Sequence, residues 1–162
     1  MKLNEGIEWG IHCCGLLATL PEGAALPTTK LAEFFDLPKD YLAKHLQHLS
    51  RAGLVNSSRG PGGGYSLARP ADKIRLLDIV EAIDGKGPSF RCAEIRRRGP
   101  SAVGSECYQK DCCISRAMLR ADAAWRQSLA SVTLATLCDE SKEDMPSEQF
   151  QKAQAWIEQE VG

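Results

Sequence analysis

The chain has 162 residues, 43% of them hydrophobic and 25% charged, with 20 basic and 21 acidic side chains. This is the composition of a globular protein rather than a disordered one, and the length suits one ordinary domain or a small domain with an appended dimerisation element. No apolar run approaches the roughly 20 residues of a membrane-spanning helix, and Glu5 and Glu8 stand where a signal peptide would be cationic, so a cytoplasmic protein with no membrane partner is expected.

The near-neutral charge conceals an asymmetry. Lys30, Lys39, Lys44, Arg51, Arg59 and Arg69 face only Glu33, Asp36 and Asp40 within residues 30–69, whereas residues 139–162 carry Asp139, Glu140, Glu143, Asp144, Glu148, Glu158 and Glu160 against Lys142 and Lys152. The first part suits an anionic partner and the last part suits water.

In chain order, Leu3, Ile7, Ile11, Cys14 and Leu17 recur at steps of three and four and predict a helix with one apolar face over residues 3–20. Pro21-Glu22-Gly23 ends it. A short second helix follows, with Thr28 or Thr29 as N-cap and LAEFF as its body. Pro38 breaks that pattern, and Asp40 or a neighbour caps a third helix whose core stripe is Leu42, Leu46 and Leu49, closed by Gly53. Next, LVNSS and YSLAR alternate like paired strands around RGPGGG. A phosphate-binding loop fits poorly there, because no Gly-Lys-Ser/Thr follows and no strand-to-helix context surrounds the glycines. The order helix, helix, helix, hairpin predicts a mainly α chain with a winged helix-turn-helix.

After the wing, Ile74, Leu77, Ile79, Val80 and Ile83 predict a supporting helix that ends at Asp84-Gly85. A cysteine-rich loop follows. From Ile114, the positions Met118, Ala121, Trp125, Leu129, Val132 and Ala135 continue one helical stripe, too long for the small winged domain to bury and therefore expected to pair with a second copy. A last amphipathic piece with Phe150, Ala153, Trp156 and Ile157 is expected to fold back on that dimer helix. The division that results is residues 1–84 for DNA binding, 85–113 for the cysteine loop, and 114–162 for dimerisation and the C-terminal helix.

For DNA recognition, Tyr41, Lys44, His45 and His48 fall on the face of the third helix opposite its leucines, with Lys39 at its start. At the wing tip, Arg59 with Gly62 and Gly63 is placed to approach a narrow minor groove. No nucleophile, base and oxyanion-stabilising set emerges, so an enzyme is not expected.

The chain has seven cysteines, an odd number that fits no fully paired disulfide framework. Cys13, Cys14 and Cys138 read as buried thiols acting as small hydrophobes. The gaps among Cys92, Cys107 and Cys112 are unlike paired zinc ligands, and adjacent Cys112 and Cys113 cannot easily share one metal. Three of these thiols, Cys92, Cys107 and Cys112, would serve one face of a cluster and leave a position open. Glu8 and His12, one turn apart on the first helix, are candidates for the missing half.

DYLAKHLQHLSRAGLV followed by RGPGGGY, with the cysteine loop and long helix behind them, resembles the Rrf2 family of transcriptional regulators along nearly the whole chain. The resemblance implies a homodimer on a palindromic double-stranded operator, with an iron–sulfur cluster that alters DNA binding. Within that family, EWGIHCC, CAEIRRRGP and the late Cys112 are most similar to redox-sensing members with a [2Fe-2S] cluster. That resemblance implies Cys92 and Cys112 as thiolate ligands in one subunit and Glu8 and His12 as ligands in the other, with Cys107 or Cys113 as alternatives for the second thiolate. A [4Fe-4S] sensor of nitric oxide or oxygen using Cys92, Cys107, Cys112 and a partner Glu8 is the second reading, and an electron carrier that binds no DNA is the third.

Overall fold

The structure is a computed structural model that describes residues 4–161. Leu3, expected to open the first stripe, lies outside the described residues. Helix α1 (Glu5–Leu17) starts at Asn4, whose side chain accepts the Gly6 N–H at 2.9 Å, with Glu5 and Glu8 in the first turn where they favour the helix dipole. It ends three residues earlier than the sequence predicts.

Helix α2 (Thr28–Phe35) has Pro27 rather than either threonine in the N-cap position. Its proline ring presets the extended backbone there, and its carbonyl accepts the Lys30 and Leu31 N–H groups. Helix α3 (Lys39–Arg51) likewise starts after Pro38, so Asp40 lies inside the first turn and does not cap it. Leu42, Leu46 and Leu49 are fully buried, as the stripe predicts. The helix closes on Gly53 at φ 69°, where Leu54 N–H returns to Leu49 O and Gly53 N–H to Ser50 O.

Strands β1 (Val55–Ser57) and β2 (Tyr65–Leu67) pair antiparallel with Val55 opposite Leu67 and Ser57 opposite Tyr65, forming the wing. Leu26 adds a short bridge to Tyr65 through N–H···O bonds of 3.0 and 2.8 Å. A Cβ on Gly64 would lie 2.3 Å from the Leu26 carbonyl carbon, so only glycine lets this third segment approach. Helix α4 (Leu76–Asp84) buries Ile79, Val80 and Ile83 and ends at Gly85 as expected.

The long stripe from Ile114 to Ala135 is divided. Helix α5 (Cys113–Ser131) stops, Val132 and Thr133 are extended, and α6 (Leu134–Asp144) begins. A bridge between Thr133 and Arg75 explains the break: Leu76 N–H donates to Val132 O at 3.0 Å and Leu134 N–H to Ile74 O at 2.8 Å. Thr133 Oγ1 then accepts the Thr136 N–H and caps α6. Along α5, Asp122 accepts the Ser89 N–H at 3.1 Å, and Arg126 pairs with Glu81 and reaches Lys86 O.

Helix α7 (Ser147–Val161) meets α2, with the Trp156 ring 4.9 Å from that of Phe34. The core lies among α1 to α4 and the start of α6, with Cys13 and Cys14 fully buried in it. Desolvation pushes both thiols up to about 12, which makes them inert packing groups. No helix among the described residues is long and apolar enough to cross a membrane.

Candidate functional site

The loop between α4 and α5 is stitched by its arginines. Arg96 Nε donates to Glu94 Oε1 at 2.6 Å and Arg96 Nη2 to Lys110 O at 3.3 Å, joining the two halves of the loop. Tyr108 OH donates to Arg96 O at 2.7 Å and accepts the Val103 N–H, while the Arg96 and Arg97 guanidinium groups lie over the Tyr108 ring. Arg98 donates back to Ala93 O.

This stitching brings together the Cys92 and Cys112 sulfurs and a Glu94 carboxylate oxygen, all within 4.8 Å of one another. Cys112 is the N-cap of α5. Backbone N–H groups of Ser115 and Ile114, together with the Arg96 cation, hold its thiol below the ordinary range against the opposing effect of burial. Cys92 Sγ accepts the Glu94 N–H at 3.4 Å. Glu94 adopts the left-handed region at φ 48°, unusual for a residue with a side chain, and the hydrogen bond from Arg96 holds its carboxyl below the usual range.

The donor set fits a metal or cluster: two thiolates bound at about 2.3 Å each to one ion lie within this separation, and N–H donors already point at both sulfurs. Glu94, whose carboxylate lies beside the two sulfurs and pairs with Arg96, is a residue that sequence reasoning missed. Its only sequence signal is its place two residues after Cys92, and that spacing brings the carboxylate beside the sulfurs only with a left-handed turn. Cys107 and Cys113 are exposed and are not part of the group; the Cys107 thiol lies 3.9 Å from Glu106 Oε1. Glu8 and His12 are exposed on α1 outside this group, with the His12 ring 5.5 Å from Phe35.

On α3, Lys39, Tyr41 and Lys44 are exposed, and Lys44 Nζ sits 5.0 Å over the Tyr41 ring. His45 and His48 depart from the expected outward face. Both are half-buried with Nδ1 buried and without a hydrogen-bond partner, and His45 stands edge-on to Trp9 of α1 at 5.8 Å. Desolvation lowers the His45 pKa, and the neighbouring His48 and Lys44 add to the shift. Arg59 and Gly62 are exposed at the wing tip, and Gly63 is half-buried beneath it.

Residues 3–140 match the Rrf2 family model, described as iron-dependent transcriptional regulators. A Lactococcus lactis protein named as the HTH-type transcriptional regulator YffB is 31% identical over 143 residues, spanning 88% of this chain and 90% of the relative. The global cysteine regulator CymR of B. subtilis shares the fold with a TM-score of 0.66 at 23% identity, over 86% of this chain and 98% of that one. T. potens IscR does so with a TM-score of 0.66 at 23% identity, over 91% and 93%.

Proposed function

The chain belongs to the Rrf2 family, whose members are DNA-binding transcription regulators rather than enzymes, and from that premise we propose that it is a cytoplasmic redox sensor whose [2Fe-2S] cluster state alters its affinity for an operator. The observation that carries this reading is the approach of Cys92 and Cys112 across the loop, with N–H donors at both sulfurs. The resemblance of EWGIHCC and CAEIRRRGP to the redox-sensing regulator RsrR supports it from the sequence side.

In this reading Cys92 and Cys112 would hold one iron, and Glu8 and His12 of the partner subunit would hold the other. Glu94 then serves as the anion that keeps Arg96 beside the thiolates. When bound, the cluster supplies one-electron redox chemistry and a unit change of charge, and imidazole in place of thiolate raises its potential. Ligands drawn from two subunits link that charge to the spacing of the two α3 helices on a palindromic site.

Lys39, Tyr41 and Lys44 face the DNA, Arg59 with Gly62 and Gly63 forms the wing contact, His45 braces α3 from the α1 side, and His48 lies beside α4. Residues 1–84, 85–113 and 114–162 are the DNA-binding part, the cluster-binding loop, and the dimerisation helix with the C-terminal helix. The [4Fe-4S] alternative draws less support, because it uses Cys107, which lies outside the donor group.

Anaerobic purification is expected to give a coloured protein with about two irons and two sulfides per protomer. His12→Ala is expected to shift or bleach the visible spectrum while circular dichroism stays unchanged. A colourless protein with tightly bound zinc would overturn the cluster, and an unaltered spectrum would remove His12 from it.

A further inference from the structure

Helix α7 lies beyond residues 3–140, the part that matches the family model. Only Met145 and Pro146 separate it from α6, and it packs on α2 of its own chain. Trp156 meets Phe34 edge-on, and Ile157 and Val161 pack against the core, which seats α7 on α2. One turn beyond Trp156, Glu160 Oε1 accepts a hydrogen bond from Lys30 Nζ at 2.9 Å, and Glu33 holds the same ammonium at 3.0 Å.

Lys30 stands in the first turn of α2, the helix that precedes the recognition helix and in a helix-turn-helix crosses the phosphate backbone. Leu26, four residues earlier, is bridged to the wing strand at Tyr65. The charge of Lys30 is committed to two carboxylates. Of these, Glu33 belongs to α2 itself and moves with Lys30, whereas Glu160 arrives on a separate helix and is only 17% exposed at its side chain.

We propose that α7 is an autoinhibitory clasp: Glu160 holds Lys30 in the place of a DNA phosphate, and α7 must yield this contact for α2 to engage DNA fully. The aromatic contact of Trp156 sets the position of the helix, and the carboxylate supplies the competition. The clasp rests on DNA binding by the helix-turn-helix but does not depend on the cluster.

The test is binding of the full-length protein to a mixed-sequence DNA duplex, followed by fluorescence anisotropy over a range of salt, since a phosphate contact needs no particular sequence. Glu160→Gln keeps the shape of the side chain and is expected to tighten binding roughly two- to fivefold. It is also expected to steepen the dependence of log affinity on log salt by about 0.9, the value for one added phosphate contact. Glu158→Gln removes the same charge from an exposed position on α7 and is expected to give a smaller gain, and Lys30→Gln combined with Glu160→Gln is expected to cancel the gain.

Equal gains from Glu158→Gln and Glu160→Gln, or a gain that survives Lys30→Gln, would reduce the effect to net charge and overturn the clasp. Binding that Glu160→Gln leaves unchanged, with helix content intact by circular dichroism, overturns the clasp alone. No binding by any of the proteins overturns the DNA-binding reading and the clasp with it.

Discussion

His45 shows how one side chain departs from a helical wheel that is otherwise sound. The wheel places it beside Lys44 and opposite Leu42, but α1 passes along that flank, and Gly6 leaves room for the imidazole; a Cβ there would sit 2.1 Å from the ring. Burial favours the neutral form, so the folded pKa lies below the ordinary 6.5. Lys44 and His48 act in the same direction. The unfolded chain then binds the proton more readily than the folded one. Stability is therefore fully present above pH 6.5 and declines as pH falls below it. Urea unfolding at neutral pH and near pH 5.5 is expected to show this loss, and His45→Gln to flatten it; a slope unchanged in the variant would place the effect elsewhere. The cysteines teach the complementary lesson. The resemblance implies Cys112 as the second thiolate with Cys107 or Cys113 as alternatives, and what sets Cys112 apart is its N-cap position facing the N–H groups of Ile114 and Ser115. That distinction depends on where a helix begins, which adjacent cysteines do not reveal.

At the scale of elements, α3 and the wing were legible because a leucine stripe and a glycine turn each admit few alternatives. The break between α5 and α6 was not, since Val132 and Leu134 continue the apolar periodicity and only a backbone bridge to Arg75 draws the chain out of the helix. Thr133 makes that junction work by capping α6, with Oγ1 3.1 Å from the Thr136 nitrogen. Thr133→Ala is expected to cost about 1 kcal/mol, read by chemical denaturation, with Thr133→Ser restoring most of it. No loss in the alanine variant would mean that the bridge alone holds the junction. Helix α7 was recognisable as amphipathic from Phe150, Ala153, Trp156 and Ile157, but periodicity states only that a face is covered. Phe34, its partner, is distant in sequence and carries no mark of that role.

For the whole molecule, the decisive surface is the apolar side of α5, where Ile114 is 63%, Met118 44% and Leu119 43% exposed. A row of large apolar side chains along one helix favours association with a second copy. Ile114→Glu with Met118→Glu is expected to halve the molar mass measured by light scattering while the winged domain stays folded; an unchanged mass would assign the dimer to another surface. The same helix is fastened unevenly. From Asp122 onward it is pinned by Ser89, Glu81, Lys86 and finally the Arg75 bridge, whereas residues 113–121, about 13 Å of helix, carry the exposed apolar row. In mechanical terms α5 is a cantilever clamped to α4, and the stitched loop that ends in Cys112 is the spring beneath its tip. A helix is stiff over so short a span. Moving the tip by about one ångström corresponds to a tilt of the helix of about four degrees, and the contacts that resist that tilt lie on α4, the helix on which α1 and α3 rest.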